Sequence, residues 1–436
     1  KFSRVPRLCA NGDVLLMPLR SENSYCRILN PLSWLNSEEM PLPRLLVVGS
    51  GPAGIQIVRN LYKDFQVILV EPKDYYEFTP GILRGLCDAE HLETLQVKLE
   101  DALHGMGVTH IKGQVLQLEE SSAWVQGNGS DGEKQFVDFD FAVLAMGSQY
   151  AGTELWKVVA GAETGEGFTL DGRQQQLQIL RQELRERAAS GGQVILLGAG
   201  LVGVELAAEL IHFFPTLKIA LADRCETVLP TLPKDAQDYA QKWLIDHGID
   251  LRLGQELPRE DVASALDLPK TSLVLPCAGL RFRGTSLVPP CCDEMGQICT
   301  NRAMQCMERG EGGTLSPMAK GRIFALGDCV KVLDAMRFTK DIYPAEAMVE
   351  VVVANLRALK RCKEAEKMDF QELPTQLQEM TLCSLGPNDC IYVMNGGVVT
   401  TGWLAAQLKH QVEVTKMGEI RQEMWGSFVW SLIPHW

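Results

Sequence analysis

The sequence has no run of eighteen or more apolar residues, so no helix long enough to cross a hydrocarbon core of roughly 30 Å is expected from it. No CxxC pair occurs among its 13 cysteines, which excludes a zinc ribbon and a thioredoxin-like dithiol site. Positive charge is in short supply: 42 lysines and arginines against 55 aspartates and glutamates leave a net charge of −13. Nucleic acid is thereby excluded as the main partner, because binding phosphates needs a basic footprint. Any membrane contact has to be apolar or local.

What is present is ordinary for a globular chain. Of the 436 residues, 46% are hydrophobic and 22% charged, and such a length suggests about three domains at ~150 residues each. The cysteines read as mostly reduced; Cys291, Cys292, Cys299 and Cys306 lie close in sequence but at no standard metal-ligand spacing, so no metal is expected. The first twenty residues carry Lys1, Arg4, Arg7 and Arg20 against Asp13 alone. That bias fits either the mature edge of an organelle-targeted precursor or a basic arm.

Residues 1–43 lack periodicity and read as an irregular arm ending in Pro41-Leu42-Pro43. From Arg44 the pattern changes. Leu45–Val48 reads as a buried strand, Gly49–Gly54 as a tight turn, Ile55–Asp64 as a helix and Gln66–Val70 as the next strand, a βαβ unit with the unbroken apolar strands of a parallel sheet. The pattern returns 149 residues further on, where Val194–Leu197 leads into Gly198-Ala199-Gly200-Leu201-Val202-Gly203, a helix to about Phe214 and a strand Lys218–Ala222. An acidic, Gly-rich loop at Gly127–Glu133 and a helix from about Gln174 to Ala189 lie between the two units. Beyond Ala345 a helix is expected, then strand-like alternating segments to the end.

GxGxxG after a strand lets the backbone turn sharply and approach a pyrophosphate, while the helix that follows offers free N–H groups to the phosphates. Both copies, Gly49/Gly51/Gly54 and Gly198/Gly200/Gly203, have that context, and each has an acid at the end of its second strand. Glu71 stands 17 residues past Gly54 and Asp223 stands 20 past Gly203, close to the spacing that reaches ribose hydroxyls. Two dinucleotides are therefore expected. Asp223 favours NADH over NADPH, since a 2′-phosphate would be repelled by the carboxylate, although Arg224 next door could accept one.

At this point the chain resembles the two-dinucleotide-binding-domain flavoproteins, and within them the type II NADH dehydrogenases and the ferroptosis suppressor proteins. Beyond the glycine loops the resemblance rests on Phe141–Ser148, similar to the family's ATG segment with Met146 for threonine before Gly147, and on Gly321–Asp328, its second FAD signature. It covers about residues 44–425. The resemblance implies an α/β fold with two Rossmann-like domains and a smaller C-terminal α+β domain. The FAD domain would take 44–150 and 280–345, the NAD(P)H domain 151–279, and the C-terminal domain 346–436.

The same resemblance implies FAD contacts at Glu71, Lys73, Met146, Gly147, Gly327 and Asp328, and, from the segment Tyr76–Pro80, a lining of the flavin ring by Thr79 and Pro80. Pro344 and Ala345 would open a helix whose N-terminus points at the ring's pyrimidine edge and stabilises negative charge there. Lys340 and Tyr343 match the ferroptosis suppressor pattern. Glu205 matches the glutamate that faces the nicotinamide, and Lys416 a lysine near the flavin; from the residues alone, Glu205 is a good helix-former and Lys416 an exposed loop lysine. The implied activity is transfer of hydride from NADH to flavin and of two electrons to a quinone, with another acceptor, or an accessory role of low activity in a membrane complex, as alternatives.

Two departures qualify it. No cysteine lies on Ile55–Asp64, where the related disulfide reductases keep CxxxxC, so thiol relay chemistry is not expected. The type II dehydrogenases carry glutamines at the quinone side of the helix after Pro344, whereas this chain has Glu346, Met348 and Glu350. Four of the eight tryptophans fall in the last 34 residues, and the aromatic tail Trp425–Trp436 is either a peripheral membrane foot or a packing surface for a core or partner subunit. A homodimer and a larger membrane assembly are both open. The leader-like bias and the family favour the mitochondrion over the plastid.

Overall fold

Arg44–Val48 (β1) is the seed of the first sheet, because its run of Leu45, Leu46 and Val47 is fully buried on both faces. In the computed structural model it is followed by α1 (Pro52–Leu61), β2 (Gln66–Val70), α2 (Ile82–Cys87), β3 (Thr109–Ile111) and β4 (Phe141–Leu144). The second half-repeat runs α3 (Leu170–Ala189), β5 (Gln193–Leu197), α4 (Leu201–Phe213), β6 (Lys218–Asp223), β7 (Asp250–Leu253) and β8 (Leu273–Pro276). After β9 (Ile323–Ala325) come α5 (Ile342–Arg361), β10 (Met380–Ser384), β11 (Cys390–Met394), β12 (Gly397–Thr401) and α6 (Trp403–Ile420).

The structure describes residues 41–128, 134–150, 168–258, 261–277, 279–335, 338–340, 342–362 and 368–423. Leu42 begins a compact unit of its own. The arm before it, most of the acidic loop, the start of the connection 151–167 and the aromatic tail lie outside the described residues.

The first sheet has the order β9–β4–β1–β2–β3 and the second the order β7–β6–β5–β8, with every pair parallel. Val47 is paired with Leu69 on one side and Val143 on the other; Leu196 is paired with Leu221 and Leu275. Parallel strands covered by helices have no wet face, which is why the central strands β1, β4 and β5 are apolar apart from Arg44 and Gln193 at their starts. The fold is α/β. β10–β11–β12 form a separate antiparallel sheet on which α6 packs.

Helix starts agree with the glycine turns: α1 begins at Pro52, a residue that lacks the N–H the first turn would leave unpaired, and α4 at Leu201. Two boundaries differ from expectation. α5 begins at Ile342, so Pro344 is inside its first turn rather than at its head, which costs nothing because no i−4 carbonyl precedes it there. More significantly, 403–420 is a helix where alternation suggested strands. Trp403, Leu404, Leu408 and Val414 are exposed on it, so apolar residues occur on both faces and blur the 3.6-residue period.

Candidate active site

Each glycine turn is fixed by contacts that leave no room for a side chain. A Cβ on Gly54 would lie 2.0 Å from Gly49 O, and one on Gly203 would lie 1.8 Å from Gly198 O. Gly49 and Gly198 have φ of +98° and +116°, in the region that only glycine enters freely. The middle glycines are different. Around Gly51 and Gly200 a Cβ would meet nothing within 4 Å, and neither helix N-terminus is capped by a side chain.

That combination is the test of whether a dinucleotide fits. Open space over the backbone beside uncapped N–H groups is what a pyrophosphate requires. The two acids repeat the symmetry: Glu71 accepts the Ser50 N–H at 2.8 Å and the Lys73 N–H at 3.1 Å, and Asp223 accepts the Ala199 N–H at 2.6 Å and the Cys225 N–H at 2.8 Å. Each carboxylate thus holds its own loop closed. A carboxylate has about four acceptor positions, so ribose hydroxyls could be added to these bonds.

Around the first cradle, distant segments converge. A Cβ on Gly49 would meet Ala145 O at 2.4 Å, which sets the loop against the end of β4 and its Met146 and Gly147. Ser148 Oγ donates to Asp328 Oδ2 at 2.9 Å, and Gly327 lies against Ala53 of α1. Burial raises the Asp328 carboxyl above its ordinary range, against the Ser148 hydrogen bond and the Lys340 charge. The Gly327 N–H points to Met348 Sδ at 3.3 Å, so the opening turns of α5, with Pro344 and Ala345 both buried, face the same place.

Thr79 and Pro80 are exposed on a short turn ending at Gly81, where α6 comes so close that a Cβ would meet Glu413 Oε2 at 2.4 Å. The strand Tyr75–Glu77 before them is held by Arg173 of α3, which is fully buried and donates from Nε and Nη2 to Glu77 at 3.0 and 2.9 Å. Pro80 and Glu205 line one cavity of about 20 Å³ with Arg84, Glu209, Lys409 and Glu413, room for about one water. The Thr79–Gly81 turn and the second unit's glutamate are therefore neighbours.

Glu205 itself is engaged. Its Oε1 accepts the Ser384 N–H at 2.7 Å and forms an ion pair with Lys409 of α6; burial works against the Lys409 charge, but the charge and hydrogen bond of Glu205, with Cys390 and Cys383 beside it, together raise that ammonium above its ordinary value. Lys416 is not an exposed loop residue. It is in α6, buried, and paired with Glu346 of α5. Sequence reasoning missed Lys409 and Arg84 (bonded to Glu209), whose partners are 204 and 125 residues away. The clustered cysteines are inert packing: burial pushes the Cys291 and Cys292 thiols up to about 12.

The sequence model of the pyridine nucleotide-disulphide oxidoreductases matches residues 43–354, well over half of the chain. The chain belongs to that family. Among relatives in this family, it is 24% identical over 326 residues to the mitochondrial external alternative NAD(P)H-ubiquinone oxidoreductase B2 of Arabidopsis thaliana, covering 66% of this chain and 54% of the relative. The chain thus spans about half the length of the plant relatives it matches. It is 22% identical over 422 residues to a type II NADH:quinone oxidoreductase of Staphylococcus epidermidis, covering 86% and 96%. The solved structure of NDH2 from Plasmodium falciparum in complex with NADH superposes with a TM-score of 0.64 at 14% identity, covering 90% of this chain and 99% of that one, a likeness of fold.

Proposed function

We propose that the protein is an FAD-dependent NAD(P)H:quinone oxidoreductase. The observation that carries this is the doubled cradle: two parallel sheets, each with an uncapped helix N-terminus over an open glycine and an acid bonded to its own loop. FAD would be held by Gly49, Gly51, Gly54, Glu71, Lys73, Met146, Gly147, Gly327 and Asp328, with Thr79, Pro80, Pro344 and Ala345 along its ring. NADH would be held by Gly198, Gly200, Gly203 and Asp223. Domain limits of 44–150 with 280–345, 151–279 and 346–436 follow from that division. Bound flavin supplies two-electron carriage between nicotinamide and quinone.

The chain's own part is orientation and charge. The α5 N-terminus offers positive dipole to the flavin edge, Arg84 and Glu209 join the two nucleotide sides, Glu205 and Lys409 join the second of them to α6, and Lys416 stands behind α5. The names of the plant and staphylococcal relatives support quinone as acceptor, and the plant relatives' location supports the mitochondrion. Peripheral membrane contact is supported by the exposed Trp403 (63%) and Leu404 (57%) of α6, which precede the aromatic tail.

The test is an absorption spectrum of the purified protein before and after anaerobic NADH. Bleaching of flavin bands is expected, followed by faster turnover with ubiquinone analogues than with ferredoxin-like or ascorbate-radical acceptors. Protein isolated gently without flavin would overturn the assignment.

A further inference from the structure

Three ionisable side chains share one buried place behind the first turn of α5. Lys416 pairs with Glu346 Oε1, and its Nζ lies 3.9 Å from Glu419 Oε2. Glu419 Oε2 is shut off from solvent and has no hydrogen-bond partner. Two carboxylates around a single ammonium carry a net charge of −1 when all are ionised, offset in part by the Arg59 guanidinium that reaches Glu419 from α1. In a low-dielectric setting the ready relief is one bound proton.

The trio adjoins the elements that carry the segments proposed to line the flavin ring. Glu346 is two residues past Pro344, on the helix whose Met348 Sδ receives the Gly327 N–H. Tyr76, three residues before Thr79, is within electrostatic reach of both Glu346 and Glu419. The titratable and charged groups facing Glu346 are Lys416 and Glu419 of α6, Tyr76 of the strand Tyr75–Glu77 and Tyr343 of its own helix, with Glu350 further along and Arg59 of α1 reaching Glu419. Burial raises the Glu346 carboxyl; Lys416 opposes this and Glu419 adds to it.

Turning a quinone into a quinol takes two electrons and two protons. Hydride from NADH supplies both electrons and one proton, so the balance is NADH + H⁺ + quinone → NAD⁺ + quinol, with one proton drawn from solvent. We infer that Glu346, backed by Lys416 and Glu419, hands this second proton to the acceptor, an inference that rests on the quinone reading. The O–H bond of the Glu346 carboxyl breaks as a new one forms on the quinone oxygen, and the carboxylate left behind is held by the Lys416 ammonium until water reprotonates it.

Flavin-loaded wild type and Glu346→Gln, each reduced anaerobically with NADH, are mixed in stopped flow with a water-soluble quinone or with ferricyanide, which takes electrons without a proton. The ratio of the quinone rate to the ferricyanide rate is expected to fall on the order of a hundredfold in Glu346→Gln. In wild type the quinone rate falls as pH rises through the Glu346 ionisation. Glu419→Gln removes a charge that favours the protonated form, so that fall is expected at lower pH, and this variant carries the test should Glu346→Gln not fold. Infrared difference spectra of oxidised wild type against Glu346→Gln, with no acceptor present, are expected to show one deuterium-sensitive protonated-carboxyl band. An unchanged rate ratio, an unmoved pH midpoint or a missing band overturns the proton hand-off alone. Wild type that reduces ferricyanide but no quinone overturns the functional reading and the hand-off together.

Discussion

At Gly51 and Gly200 a methyl group can be added without touching the protein, and both have extended backbone that alanine accepts. Gly51→Ala is therefore expected to unfold within about 0.5 kcal/mol of wild type yet to purify without flavin. Gly200→Ala should keep its flavin, with NADH affinity weakened about tenfold or more, some 1.4 kcal/mol; urea titration and flavin absorbance check the first, and NADH titration the second. At Arg173 the stakes are folding. Burial alone would raise the Glu77 carboxyl, but Arg173, Lys73 and Gln96 hold it below its usual range. A lowered native pKa means that the unfolded chain binds the proton first, so this stabilisation is present above about pH 4.3 and is lost as pH falls through the native value. Arg173→Leu strands a buried carboxylate and should cost about 3–5 kcal/mol at neutral pH, a loss that shrinks in acid; urea midpoints at pH 7 and pH 4 check it. The glycines and acids were legible in the sequence because their meaning is set within some twenty residues. Glu77 with Arg173, or Lys416 with Glu346, was not, because an ion pair between residues 96 or 70 apart leaves no local periodicity.

At the scale of elements, α6 joins the parts. Its Lys409 binds Glu205 of α4, its Lys416 binds Glu346 of α5, and its last carbonyls, Glu419 and Ile420, accept from Arg59 of α1 at 2.7 and 3.4 Å. A cation at a helix C-terminus also offsets the helix dipole. Lys409→Met leaves Glu205 with only the Ser384 N–H named above as partner, and a loss of about 2–3 kcal/mol is expected, below the fully buried value because both side chains keep some exposure. Adding Glu205→Gln should return part of it, as a double-mutant cycle in urea would measure. The βαβ helices were legible because each follows a glycine turn and buries one face. α6 was not, because its exposed side is apolar too and its identity as a helix comes from packing on the sheet β10–β11–β12.

For the whole molecule, charge and surface make different demands. A chain of net charge −13 is repelled by anionic headgroups, so membrane contact through the apolar face of α6 should favour neutral over anionic vesicles and change little with salt. Flotation with vesicles of the two compositions measures this; stronger binding to anionic lipid, reversed by salt, would count against it. Fold class was readable at this scale from the repeated units, but sheet order was not. Nothing near Ile323 in the sequence says that it pairs with Ala142, a partner 181 residues earlier.

That pairing has a temporal side. The second sheet is complete once Pro276 has been made, whereas the first, begun at Arg44, lacks its edge strand and aspartate until Ile323–Asp328 leave the ribosome. During synthesis, the later-encoded module is thus the first able to close, and the earlier one waits half-built with an open β4 edge exposed to wrong pairing. Capture of FAD becomes a late event in the life of the nascent chain, and polypeptides cut short between the two points would emerge colourless.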